Sequence, residues 1–194
     1  VVATEELSRG SLGAGGSLIT RPEILARALE AGGTEEQKHE WLPKLASAEV
    51  MNAVAVTEPD FGSDVAGVTV SATATTEDGV EGYVINGVKT WCTFGARADV
   101  LMVLARTDPD RSIGHRGLSM FIVPKFWVNE DGSLGERNGV YCTNIEHKMG
   151  LKASATCEMT FGEKHPARGL LLGVAIAPVL VQAMRQFVHL LMGG

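Results

Sequence analysis

Basic residues are in short supply. Seventeen Lys and Arg face 23 Asp and Glu, a formal net charge of −6 over 194 residues. No Lys/Arg cluster interleaves with aromatics, so the chain lacks the basic face that nucleic acid selects. Cysteine is scarcer: Cys92, Cys142 and Cys157 are an odd set with no C-x-x-C pair. This argues against a disulfide framework or a zinc site and fits a reducing cytoplasm. The five histidines, His39, His115, His147, His165 and His189, lack ligand spacing, so no metal is expected. Long apolar runs are missing too. Leu170 to Val181 is almost wholly apolar, but Pro178, Gln182 and Arg185 interrupt the stretch. That falls short of the roughly twenty residues a membrane span needs. No secretory signal opens the chain, and its first residue is Val1, so both ends are expected to be cuts.

What is present is a globular composition, 45 % apolar and 21 % charged, able to bury a sizeable core. Residues 1–50 read as helices. Thr4-Glu5-Glu6 resembles a helix start, and Gly10 to Ser17 reads as a Gly/Ser-rich turn or helix joint. Gly13-Ala14-Gly15-Gly16 lacks the third glycine and the preceding strand of a dinucleotide-binding fingerprint. Pro22 suits a first helical turn, and Ile24, Leu25, Ala28 and Leu29 then share one face. Gly32-Gly33 stops that helix. Thr34 with Gln37 is a capping-box pattern for the next, in which Pro43 forces a bend or break.

From Met51 to about residue 162, β-branched residues and glycines take over. Val68 to Ala74 alternates as a half-buried strand does, and so does Cys157 to Phe161. Asn86-Gly87, between Tyr83–Ile85 and Val88–Trp91, is a hairpin signal. Val100–Ala105 and Leu118–Val123 read as buried strands. Thr107–Gly117 and Asn129–Asn138 read as polar loops. Short turns without helical spacers predict an antiparallel sandwich or barrel flanked by helices, an α+β fold. After Pro178 an apolar face returns through Val179, Leu180, Ala183, Met184, Phe187, Leu190 and Leu191, a helix whose bare face suggests an oligomer. The expected division is a helical part at 1–50, a β-domain at 51–172 and the start of a second helical part at 173–194.

The stretch Thr57-Glu58-Pro59-Asp60-Phe61-Gly62-Ser63-Asp64 stands at the end of an apolar strand. It gathers hydroxyls, backbone N–H groups and carboxylates, which suits a polar ligand; a plain surface turn is the alternative. Its three carboxylates are expected to shape the loop and bond backbone amides rather than to act as acid and base.

Four segments in order carry a resemblance. They are Gly33–Lys38 with Trp41–Ala46, Val56–Pro59 with Gly62–Asp64, Asn86–Trp91, and Lys148-Met149-Gly150 with Ser154 and Thr156. Together, over about residues 20–173, they resemble the acyl-CoA dehydrogenase family, flavoproteins of fatty-acid β-oxidation. The resemblance implies FAD as cofactor, acyl-CoA as substrate, an electron-transfer flavoprotein or similar acceptor, and a homo-oligomer. It implies that Val54, Val56, Thr57, Gly62, Ser63, Trp91, Cys92 and Thr93 line the flavin, and that Ser63 also reaches the CoA side. It places the catalytic base in a C-terminal helical domain, so this chain is expected to be a truncated fragment without its own base. The alternatives are a flavin oxidase or monooxygenase of the same fold, and a non-enzymatic β-domain binding module. Cys92, Phe94-Gly95 and Leu172–Ala175 depart from the family's pattern.

Overall fold

A computed structural model describes residues 2–20, 22–77, 80–129 and 133–173. The helix expected after Pro178 lies outside them. Four helices open the chain: α1 (Val2–Gly10), α2 (Leu12–Thr20), α3 (Pro22–Gly32) and α4 (Glu35–Ala46). The helix joint expected within Gly10–Ser17 falls at Ser11, and the glycines after it run on inside α2. Gly15 lies so close to α1 that a Cβ would run into Ser8. The missing side chain permits a close helix approach, which outweighs glycine's preference for turns.

The capping box forms as expected. Thr34 Oγ1 accepts from the Gln37 N–H at 3.3 Å, and Gln37 Oε1 accepts from the Thr34 N–H at 3.1 Å. Gln37 then reaches beyond its own helix. Its Nε2 donates to the Leu171 carbonyl at 2.7 Å, and its Oε1 accepts from the Gly173 N–H at 2.8 Å. Pro43 sits inside α4 without ending it, since the helix runs on to Ala46.

The strands are β1 (Asn52–Ala55), β2 (Ser71–Glu77), β3 (Val80–Thr93), β4 (Val100–Arg106) and β5 (Leu118–Pro124). Then come β6 (Phe126–Val128), β7 (Leu134–Arg137), β8 (Val140–Ile145), β9 (Thr156–Phe161) and β10 (Ala167–Leu171). Strands β2, β3, β10, β5 and β4 pair in turn and close on β2 as a ring, the barrel-like core of an α+β fold. The pairing is mostly antiparallel but mixed: β1 joins β4 in parallel, and Ser71 meets Arg106 in parallel at the closure. The polar stretch expected as a loop before Asn138 contains β7, which pairs with β6.

Asn86-Gly87 is not a hairpin turn. β3 passes straight through it, pairing with β2 over Val80–Asn86 and with β9 over Gly87–Thr93. The reversal falls earlier, where Glu77 faces Val80. Gly87, at φ 131°, marks the point where β3 changes partners, and a Cβ there would press on Val70 at 2.8 Å. A glycine inside a strand serves close backbone approach as readily as a turn.

β4 is buried along its whole length because both faces are covered. Leu101, Val103 and Ala105 join Phe121, Val123, Met159 and Phe161 on one side. Val100, Met102 and Leu104 join Leu25, Leu29, Trp41 and Leu45 of the helices on the other.

Candidate cofactor site

The β3–β9 register is broken between Lys89 and Cys92. Within that bulge Trp91 takes φ 59°, a left-handed conformation that bulky residues avoid. The bulge turns the indole outward. Trp91 is 56 % exposed, whereas Lys89, Thr90 and Cys92 on either side are buried. Strain of this kind costs about 1–3 kcal/mol and persists only where neighbouring contacts impose it.

Those contacts come from two directions. On one side, Thr90 N–H donates to the Thr57 carbonyl at 2.9 Å, and Lys89 Nζ donates to the Val56 carbonyl at 2.8 Å. The end of β1 is thereby fixed against the bulge. On the other, Thr90 Oγ1 donates to Glu146 Oε1 at 2.7 Å, and the Glu146 N–H donates to the Thr156 carbonyl at 2.8 Å. After the bulge, Phe94 is left-handed as well, at φ 65°, and its N–H donates to Ala155 at 2.7 Å. The buried Lys125 ammonium donates to the Gly95 carbonyl and holds the next turn.

Glu58 organises the loop. One carboxylate oxygen accepts from Thr69 N–H and Thr69 Oγ1, both at 2.7 Å. The other accepts from Val70 N–H at 2.8 Å and Lys89 Nζ at 2.9 Å. Burial alone would raise this carboxyl, but the Lys89 bond and charge and the two amides outweigh it, leaving it below its ordinary value. Burial pushes the Lys89 ammonium down, and Glu58 opposes that. The loop closes on itself through Glu58 and Phe61, whose backbone groups bond reciprocally at 2.9 and 3.2 Å. Arg111 stacks over Phe61 at 5.6 Å and bonds the Gly67 carbonyl at 2.9 Å.

The expected site residues fall into three groups. Thr57, Trp91 and Thr93 come together around the bulge, with Val54 and Val56 half-buried on the strand leading in. Gly62 and Ser63 lie exposed further along the loop, away from the bonds that join Thr57 to the bulge. Cys92 points the other way: it is 1 % exposed and its thiol faces the Thr90 carbonyl at 3.7 Å, so only its backbone lines the open side. Lys89, Thr90 and Glu146 were not expected. Their partners lie 31 or more positions away, beyond any local pattern.

Among the described residues, the Thr57, Ser63 and Thr93 hydroxyls have no side-chain or backbone partner. An exposed indole on a strand that also exposes Thr93 and is bonded to the Thr57 backbone suits a flat ring with a hydrogen-bonding edge. No group of His, Cys, Asp or Glu among the described residues could hold a metal ion, and no helix there is long and apolar enough to cross a membrane.

The family described as acyl-CoA dehydrogenase, middle domain, matches residues 53–163, and the corresponding N-terminal domain matches residues 1–49. A (2S)-methylsuccinyl-CoA dehydrogenase of Cereibacter sphaeroides is 49 % identical over 125 residues, 64 % of this chain and 22 % of that protein. Butyryl-CoA dehydrogenase from Megasphaera elsdenii superposes with a TM-score of 0.76 at 30 % identity, over 94 % of this chain and 44 % of that one. A glutaryl-CoA dehydrogenase from Mycobacterium smegmatis in complex with FADH2 gives 0.67 at 32 % identity, over 91 % and 39 % of the two chains. The chain thus spans less than a quarter of the first relative and less than half of either structure.

Proposed function

The chain belongs to the acyl-CoA dehydrogenase family, and we propose that it forms the flavin-holding part of an FAD-dependent enzyme that desaturates acyl-CoA thioesters. The observation that carries this reading is Trp91, held exposed in a left-handed bulge that is bonded directly to Thr57. A large aromatic kept outward at a cost in strain is what a stacking surface requires.

The reaction removes an α proton and a β hydride. No side chain accepts hydride, and bound FAD would supply that capacity. The chain's own residues do the rest of the work proposed for this face. Trp91 would cover one flank of the ring, and the Thr57 and Thr93 hydroxyls would be the donors to its polar edge, a placement that favours accepting negative charge there. Val54 and Val56 line the approach, Gly62 lets the loop pass close, and Ser63 reaches the CoA side of the substrate. The Glu58–Lys89 pair keeps Thr57 and Trp91 in fixed relation, which sets the ring's position against the acyl chain.

Glu58 itself is committed to four donors and cannot serve as the α-proton base. That base is proposed to come from outside the described residues. The electron acceptor is proposed to be an electron-transferring flavoprotein or a similar protein, and the setting a homo-oligomer in the cytoplasm.

Anaerobic addition of an acyl-CoA to the FAD-loaded protein tests the reading. Bleaching of the flavin's visible absorbance is expected when the segment that carries the base is also present, and rapid bleaching of this chain alone would defeat the claim that the base comes from elsewhere. Reduced flavin that air rapidly reoxidises with release of peroxide, or a hydroxylated product formed in air, would replace dehydrogenation by oxidase or monooxygenase chemistry.

A further inference from the structure

The three cysteines, distant in sequence, stand in one row across three strands. The β3–β9 register sets Cys92 directly opposite Cys157. On the other side of β9, β8 carries Cys142 opposite Met159, two residues from Cys157 and on the same face. The row runs from core to surface: Cys92 is 1 % exposed, Cys157 0 %, and Cys142 lies in the open. The Cys142 thiol faces the Asn144 carbonyl at 3.5 Å, and Cys157 Sγ faces the Ala155 carbonyl at 3.4 Å while accepting the Ala96 N–H at 3.2 Å. Directly opposed residues of an antiparallel pair have Cα atoms about 4.5–5.5 Å apart, within the range of about 4.4–6.8 Å that a disulfide spans. The flavin reading uses none of these thiols.

We propose that this row is a thiol oxidation site, in which exposed Cys142 reacts with a hydroperoxide and the oxidation ends as a Cys92–Cys157 disulfide beneath the Trp91 bulge. The Cys142 thiolate attacks the peroxide, the O–O bond breaks, sulfur keeps one oxygen as sulfenic acid, and the other leaves as alcohol or water after taking a proton. Cys157 sulfur attacks the sulfenic sulfur, an S–S bond forms, and water departs with the Cys157 proton. Cys92 sulfur then attacks Cys157, giving the Cys92–Cys157 bond and returning Cys142 as a thiol. Two thiols and one hydroperoxide yield one disulfide, one alcohol (or water) and one water.

Access and solvation set this direction. Burial pushes the Cys92 thiol up to about 12 and that of Cys157 up to about 11, so neither meets the oxidant as a thiolate. Cys142 is the one thiol of the three in contact with solvent, so a dissolved oxidant reaches it first. The inner steps are slow because the inner thiols are buried. Closing the inner disulfide removes two S–H donors and with them the Cys92–Thr90 and Cys157–Ala155 contacts, so oxidation reaches the strand that holds Trp91.

The test uses the reduced full chain, with or without flavin. It is incubated with hydrogen peroxide, alkylated, and mapped by mass spectrometry without reduction. The expected product links Cys92 to Cys157, leaves Cys142 alkylated, and reverts with dithiothreitol. Cys142→Ser is expected to slow the link at least about tenfold with the unfolding midpoint unchanged. Linkage at the wild-type rate in Cys142→Ser would overturn the entry role of Cys142. A final Cys142–Cys157 bond, interchain dimers through Cys142, or over-oxidised Cys142 with the inner thiols free would overturn the inward transfer.

Discussion

Glu58 and Lys89 form an ion pair at 2.9 Å in which the side chains are 3 % and 0 % exposed. They sit on the two segments that frame the candidate site, the loop after β1 and the bulged end of β3. Two charges taken from water are costly, and here each is repaid by further bonds: three from Thr69 and Val70 to the carboxylate, and one from Lys89 to Val56. The pair therefore acts as a locating device whose value depends on both halves being present.

Removing one half strands the other. Lys89→Met is expected to lower the unfolding free energy by about 3–5 kcal/mol, because a buried carboxylate loses its counter-ion. Adding Glu58→Gln to Lys89→Met should recover part of that loss, since the uncompensated charge is gone. Denaturant unfolding of the two single variants and the double variant measures both effects.

The pair also sets an acid limit. The folded Glu58 carboxyl lies below its ordinary value of 4.5, so the unfolded chain binds the proton more readily. Its contribution is complete above the ordinary value and is lost as pH falls through the folded one. Melting temperatures of wild type and Glu58→Gln should be well separated at neutral pH and converge as pH drops below about 4.5. A gap of constant size would show that Glu58 is not held ionised by its partners.

Trp91→Gly trades ring contact for backbone ease. Glycine enters the left-handed region freely, and the exposed indole gives up little buried area. The variant is expected to match wild type in stability or exceed it by about 1 kcal/mol, while binding flavin more weakly. Unfolding curves and flavin titration on the same samples separate the two effects.

Gln37→Leu should loosen α4 from β10. It removes the Thr34 N–H acceptor, the bond to Leu171 and the bond from Gly173. A loss of about 1–3 kcal/mol is expected, with amide exchange quickening at Thr34 and Gly173 before the strands of the ring are affected.

Local chemistry was legible and long-range placement was not. The Thr34–Gln37 box could be read because both partners lie within one helical turn. The apolar runs that became β4 and β5 could be read because burial on both faces needs unbroken hydrophobicity. The Asn86-Gly87 signal misled because the backbone freedom that suits a turn also suits a strand changing partners. At the site, Thr57 and Trp91 could be named from the segments that resemble the family. The Glu58–Lys89 pair, the Thr90–Glu146 bond and the left-handed conformation of Trp91 could not. Each depends on segments far apart in the chain meeting in three dimensions.

Titration of FAD with wild type and Trp91→Ala, followed by flavin fluorescence, tests the central claim most directly. The account predicts saturable quenching by wild type. It also predicts at least about tenfold weaker binding by Trp91→Ala, the loss of roughly 1.4 kcal/mol of stacking. Equal affinity for the two proteins, or no saturable quenching by wild type, would contradict it.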